Sequence, residues 1–280
     1  MQMKIIAVCV IGLASRPATS QSVFPAGWTE TAVMIQHSAG TGSGFFFQSS
    51  NKVFLVTAKH VIFDAAKFPS LVLLSTNATC MTWLEQTNVS RFTIDLAGSF
   101  AARETRGHPS RDVALVYCEE VATNGFHARA FFTSTTPGIP HIQLVLDRHT
   151  EFFKSVPVGS DIYTFGYPSS IGLQNAHQID PSRPLVRRGT VADKDPNRRI
   201  LVLDSPVFKG NSGGPVIERG DIQLAPAQVS WPYKIIGIAV EFVPFEERWV
   251  NNQFGYWNTT LSNSGYSIAE PMDSVLELVW

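Results

Sequence analysis

The sequence predicts an all-β protein built in two halves and closed by a short C-terminal helix. Three observations predict it. Short apolar, β-branched and aromatic runs recur at Gly44–Gln48, Val53–Thr57, Leu71–Ser75, Val113–Cys118, Gln143–Leu146, Asp161–Phe165, Ile200–Leu203, Gly214–Ile217 and Ile235–Val240. Each is bounded by Gly, Pro, Asn, Asp or Ser, and many short strands between such turns build a barrel or a sandwich. Helical periodicity is weak until Met272–Trp280, where Pro271 stands in the first turn and Val275, Leu276, Leu278 and Val279 supply one face. Finally, Phe132–Pro140 gathers Ser, Thr, Pro and Gly and separates two halves of similar size. We place the halves at residues 21–135 and 136–280. A second irregular stretch, Glu218–Pro232, is long for a hairpin loop and reads as a surface excursion near a functional site.

Composition narrows the function. With 44% hydrophobic and only 16% charged residues, the 280-residue chain is globular rather than disordered. A net charge of −1 leaves no basic surplus for a polyanion, so nucleic acid is not an expected partner. The N-terminus starts with a weakly positive Met1–Lys4, followed by apolar Ile5–Ala14 and polar, small Ser15–Ser22. The apolar stretch is too short to span a bilayer and suits a signal-peptide core. We read residues 1–20 as a signal peptide and expect a secreted or periplasmic protein. An uncleaved anchor or a buried first strand is the other reading of this stretch. No later segment is long and apolar enough to span, so no membrane partner is expected after cleavage.

Cys9 falls in the signal, leaving Cys80 and Cys118 as a disulfide or as two buried thiols. No C-x-x-C spacing occurs, and the histidines at 37, 108, 127, 141, 149 and 177 show no paired metal spacing. No metal and no cofactor are expected. Oligomeric state is not legible.

Three segments carry chemistry. Leu55–Val61 is a strand-like run that ends in Thr-Ala and presents His60. Arg111–Val116 places Asp112 at the head of an apolar run. Lys209–Ile217 holds Ser212 among Gly210, Gly213 and Gly214, with Pro215 opening the next strand. Gly210 lets the chain turn so that successive N–H groups point one way, and the N–H groups of Gly210 and Ser212 make an expected oxyanion hole. Serine is a weak nucleophile at neutral pH. It needs a base, here His60, and a carboxylate that holds the base in the right tautomer, here Asp112.

These segments resemble the chymotrypsin-like serine peptidases. Thr57-Ala58-Lys59-His60 is similar to their T-A-A-H element, with Lys in place of the second Ala. Asp112-Val113-Ala114-Leu115 resembles D-[IV]-A-L, and Gly210–Pro215 resembles G-[DN]-S-G-G-P. The chain order His, Asp, Ser is that of the family. The finer match is to the bacterial trypsin-like and HtrA/Deg-type branch, through Asp161–Pro168, Arg188–Val191, Leu203–Pro206, Gly237-Ile238 and Gly265–Ala269. The resemblance implies two antiparallel six-stranded β-barrels, the first carrying His60 and Asp112 and the second Ser212, and a polypeptide substrate cleaved through an acyl-enzyme. No PDZ-like segment follows before Trp280, so a full HtrA-type machine is not expected.

Two departures matter. Asn211 stands where trypsin-type zymogens have Asp, so activation by an inserted N-terminus is not expected, and hydrogen bonds must set the oxyanion loop. Lys59 beside His60 is expected to point to solvent. The resemblance puts the floor of the specificity pocket at Pro206, with Ser205 or Asp204 if the register slips, and its wall at Val240, Glu241 and Phe242. That implies a small or medium apolar P1 residue. Two rival functions have other signatures. A catalytically idle protease fold used for binding would keep the site and never react with an acylating probe. An α/β-hydrolase shares G-x-S-x-G over Gly210–Gly214 but needs its His after the Ser, and the last His here is His177.

Overall fold

Three consecutive phenylalanines, Phe45, Phe46 and Phe47, lie completely buried in one strand. Successive side chains of a strand point to opposite faces, so both faces of this strand are covered. It is the hub of the first half. The computed structural model describes residues 7–10, 27–84, 88–123, 125–136, 141–169, 175–220 and 233–279.

The first half is a single sheet of β1 (Ala7–Val10), β2 (Ala32–His37), β3 (Gly40–Ser49), β4 (Lys52–Thr57), β5 (Asn77–Leu84), β6 (Asn88–Asp95), β7 (Thr105–Gly107), β8 (Ala114–Ala122), β9 (Gly125–Ala128), β10 (Phe132–Ser134) and β11 (His141–Leu146). The order is β10-β6-β5-β2-β3-β4-β8-β7, with β9 on β8. β11 lies parallel to β3 through Leu144↔Phe46 and Leu146↔Gln48, and β1 lies parallel to β11 through Ala7↔His141. Among the described residues this half has eleven strands and two parallel pairings, more than the six antiparallel strands expected. The chain changes sheet after β11.

The second half is a closed six-stranded barrel, β12-β13-β14-β17-β16-β15, antiparallel throughout. Its strands are β12 (Asp161–Gly166), β13 (Leu185–Asp195), β14 (Ile200–Asp204), β15 (Pro215–Arg219), β16 (Tyr233–Asn251) and β17 (Tyr256–Pro271). Two short helices, α1 (Lys59–Ile62) and α2 (Leu96–Ala101), belong to the first half, and α3 (Met272–Val279) follows β17. In α2 the Asp95 carboxylate accepts the Gly98 N–H at 2.9 Å, an N-cap.

Most predicted strands lie where expected. Leu71–Ser75 does not form one. Its backbone instead covers α1, with Leu74 N–H on Ile62 O and Val72 O accepting from Asp64. Cys80 and Cys118 are free, buried thiols, and burial pushes the Cys80 thiol up to about 12. The signal-peptide flanks, most of the Glu218–Pro232 excursion, the end of the predicted link at 137–140 and Trp280 lie outside the described residues.

The barrel has its own core around Ile162, Leu201, Leu203, Val216 and Ile236. The larger core runs from the first sheet across the junction to Phe165, Tyr167, Ile217, Ile238, Met272 and Val275. Continuous close packing across the junction fixes the two halves relative to one another, which matters because each contributes to the site.

Candidate active site

β4 delivers Thr57 and Ala58, and α1 begins at Lys59, so His60 sits at the mouth of the sheet. Asp112 stands two residues before β8, which pairs with β4 through Thr57↔Ala114. That pairing brings the two side chains together. His60 Nδ1 lies 2.6 Å from Asp112 Oδ2, and the His60 backbone N–H donates to Asp112 Oδ1 at 3.0 Å. A carboxylate held on both the ring and the main chain fixes ring orientation and favours the tautomer with the proton on Nδ1. That leaves Nε2 free to accept. The side chains are 32% and 29% exposed, within reach of a substrate.

The Asp112 loop is held by groups that sequence reasoning missed. His108 Nδ1 accepts the N–H groups of Ser110 and Arg111, and its Nε2 donates to Glu277 of α3 at 3.0 Å. Glu277 also accepts from Arg199 at 2.8 Å, and this guanidinium holds its carboxyl below the ordinary range. The Asp112 N–H meets Glu270 Oε1 at 3.3 Å. Burial pushes the Glu270 carboxyl up.

Lys59 departs from expectation. It is 5% exposed, its Nζ donates to His108 O at 2.8 Å, and it lies over the Phe68 ring. Burial lowers its pKa, while Asp112 and Glu270 act in the opposite direction. The stem of a lysine packs on apolar surface when its head has a fixed acceptor, and here that acceptor lies inside the protein.

Ser212 sits in the loop between β14 and β15. The loop is fastened to the first sheet by Ser43 on β3, which is completely buried. Ser43 N–H donates to Ser212 O at 2.8 Å, Ser43 Oγ donates to Gly210 O at 2.7 Å and accepts the Tyr167 N–H at 3.0 Å, and Ser43 O accepts from Thr57 Oγ1 at 2.6 Å. Gly213, at φ +88°, approaches so closely that a Cβ would stand 2.1 Å from Ser43 O and 2.8 Å from Ala58 N. The loop of the nucleophile candidate is thus pressed against Thr57 and Ala58, three and two residues before His60. The only signal for Ser43 in the sequence is its place between Gly42 and Gly44.

The geometry around Gly210 bears on the oxyanion site. Lys209 O accepts the Ser169 N–H at 2.8 Å. In a planar trans peptide the C=O and the following N–H point opposite ways. The Gly210 N–H is therefore turned away from Ser169, and Gly210 holds φ +95°. Asn211 is buried, and the hydrogen bonds of Ser43 and Ser169 hold the backbone on either side of it. The Ser212 hydroxyl donates to Val240 O at 3.5 Å, and no hydrogen bond joins it to His60.

Of the residues predicted for the specificity pocket, Val240 is buried beside Ser212, Pro206 is half-buried, and Glu241 and Phe242 are exposed. A cleft lined by Thr29, Glu30, Trp83, Arg183, Pro184 and Val186 contains none of the candidate catalytic residues. Among the described residues no cluster of His, Cys, Asp or Glu could hold a metal ion, and no helix is long and apolar enough to cross a membrane.

The trypsin-like peptidase domain matches residues 42–222. No curated protein matches. Among solved structures, a thermostable serine protease, AL20, from an extremophilic microorganism is 14% identical, with a TM-score of 0.45 over 90% of this chain and 96% of that one. An HtrA-type protease, an AlgW variant with a decapeptide, is 12% identical, with a TM-score of 0.43 over 89% of this chain and 62% of that one. The match over residues 42–222 embraces all three chemical segments and well over half of the chain, and the chain belongs to the trypsin-like peptidase family, whose members are serine endopeptidases.

Proposed function

We propose that the protein is a secreted or periplasmic serine endopeptidase that cleaves through an acyl-enzyme, with Ser212 as nucleophile, His60 as base and Asp112 as the group that orients His60. Ser212 Oγ bonds to the scissile carbonyl carbon and gives its proton to His60 Nε2. The resulting oxyanion takes hydrogen bonds from the N–H groups of Gly210 and Ser212. The C–N bond breaks as His60 passes the proton to the leaving amine, and water repeats the sequence to release the acid. The observation that carries this reading is the 2.6 Å contact between His60 Nδ1 and Asp112 Oδ2, set two residues beyond the Ala58 backbone on which the Ser212 loop is packed. In this reading the Ser212 hydroxyl leaves Val240 O, its acceptor at 3.5 Å, for His60 Nε2 when substrate binds, since catalytic hydrogen bonds tighten in the substrate complex.

Pro206 at the pocket floor and Val240 at its wall carry no charge, which supports small or medium apolar P1 residues. Residues 1–20 act as a cleaved signal peptide in this reading. The test is digestion of a peptide library, with new termini mapped by mass spectrometry for wild type and Ser212→Ala. Cleavage by wild type alone, after small apolar residues, is expected. Cleavage after Lys or Arg overturns the pocket assignment. No cleavage by a folded protein favours the idle binding fold. N-terminal sequencing of the exported protein tests the signal: retention of Ala7–Val10 would instead make it a strand on β11.

A further inference from the structure

β15 leaves β16 at Ile238, but β16 runs on to Asn251 and β17 returns from Tyr256. The two strands continue beyond the barrel as an antiparallel ribbon, paired from Pro244↔Asn263 to Asn251↔Tyr256. Its turn is closed by Asn251 Oδ1, which accepts the N–H groups of Gln253 and Phe254 at 3.0 Å, and by Gly255 at φ +66°. A two-stranded ribbon alone is marginally stable in water, and a third strand is what such a ribbon lacks. Both strands of the ribbon lie beyond the segment matched by the peptidase family.

Both faces of the ribbon carry large apolar side chains among polar ones. The register puts Phe245, Trp249 and Tyr256 on one face and Val250, Trp257 and Leu261 on the other. All six are more than half exposed. Residues 249–269 contain no Asp, Glu, Lys, Arg or His. Exposed edges are normally blunted by charge. Here the edge of β16 that faced β15 has no partner among the described residues from Val240 onward, and its charges are Glu241 at its start and Glu246, Glu247 and Arg248 further out.

The free edge begins at the candidate catalytic serine: the carbonyl of Val240 is the group to which Ser212 Oγ donates. An extended chain added to this edge from Ser212 outward becomes a third strand. Its side chains alternate between the two faces, and each face offers it aromatic surface. A groove on one face would need only one apolar side.

We propose, resting on the peptidase reading, that the ribbon is an extended binding site for the substrate on the N-terminal side of the scissile bond, and that it selects unfolded, apolar polypeptide. The edge from Val240 to Asn251 has room for about ten residues of extended chain. The acidic pair Glu246 and Glu247 disfavours acidic residues in the middle of that stretch.

The test is a peptide series with one fixed sequence next to the scissile bond and uncharged, β-branched extensions of three to ten residues on the N-terminal side. In wild type kcat/KM is expected to rise by about tenfold or more with length, since each added cross-strand pair contributes a fraction of a factor of ten. Trp249→Ser, and separately replacement of 244–263 by an Asn-Gly turn, should abolish the rise and leave the shortest peptide unaffected. A length-independent wild type, or a shortened protein that keeps the rise, overturns the proposal. A changed solution mass or lost vesicle binding in that shortened protein would then assign the ribbon to a second copy or a membrane. If no peptide is cleaved, the peptidase reading fails on its own. Tryptophan fluorescence titration of Ser212→Ala then decides the ribbon: tighter binding of the ten-residue extension supports it, and equal binding at all lengths overturns it.

Discussion

Ser43→Ala removes one oxygen and tests how the two halves make one site. The Ser43 hydroxyl is completely buried, donates to Gly210 O at 2.7 Å and accepts the Tyr167 N–H at 3.0 Å. Alanine fits the space but leaves both backbone groups without that partner. A buried polar group stripped of its partner costs about 1–3 kcal/mol, so the two together cost about 2–6 kcal/mol of stability. Gly210 is the more consequential loss, because its carbonyl is what Ser43 pins while its N–H is proposed to face the oxyanion. If roughly 2 kcal/mol falls on that loop, kcat drops about 30-fold with KM little changed, since the contact is used most in the transition state. The assay is steady-state kinetics beside thermal denaturation. A destabilised variant with wild-type kcat would refute the link from Ser43 to the oxyanion loop. A variant with unchanged stability and unchanged kcat would refute the hydrogen bonds themselves.

Other outcomes follow from the same geometry. Gly213→Ala forces a Cβ to 2.1 Å from Ser43 O at φ +88°, so loss of soluble folded protein, or destabilisation of several kcal/mol, is expected in a denaturant titration. His108→Ala unties the Asp112 loop from α3 and should lower kcat about tenfold, whereas Glu277→Gln, which keeps an acceptor for His108, should cost far less. Glu119 is completely buried and burial pushes its carboxyl from 4.5 up to about 8. The folded protein keeps that proton while the unfolded chain loses it, so this group's contribution lowers stability as pH rises from about 4.5 through about 8. Glu119→Gln should raise Tm at pH 8 and flatten that slope; a wild-type slope in the variant refutes the assignment.

The three chemical segments were legible because each carries its own local signature. His60 follows a strand, Asp112 heads one, and Ser212 lies among glycines. What supports them was not legible, for a physical reason. Ser43, His108 and Glu270 act on partners far along the chain, and a lone Ser, His or Glu has no local pattern that announces such a partner. Lys59 shows the opposite error. A charged residue at a helix start reads as solvent-facing, yet the His108 carbonyl gives it a buried acceptor. Strand positions were legible where one run met one turn. The length of β16 and β17 was not, because residues 243–263 mix apolar and polar side chains on both faces and so lack the alternation that marks a half-buried strand. The parallel seat of β11 on β3 likewise has no signature in a run of six residues.

The most direct test of the central claim is labelling of the folded protein with a fluorophosphonate and mapping of the adduct by mass spectrometry, with Ser212→Ala and His60→Ala beside it. One adduct is expected, on Ser212, absent in Ser212→Ala and strongly slowed in His60→Ala. A folded wild-type protein that takes no label, or takes it on another serine, contradicts the account.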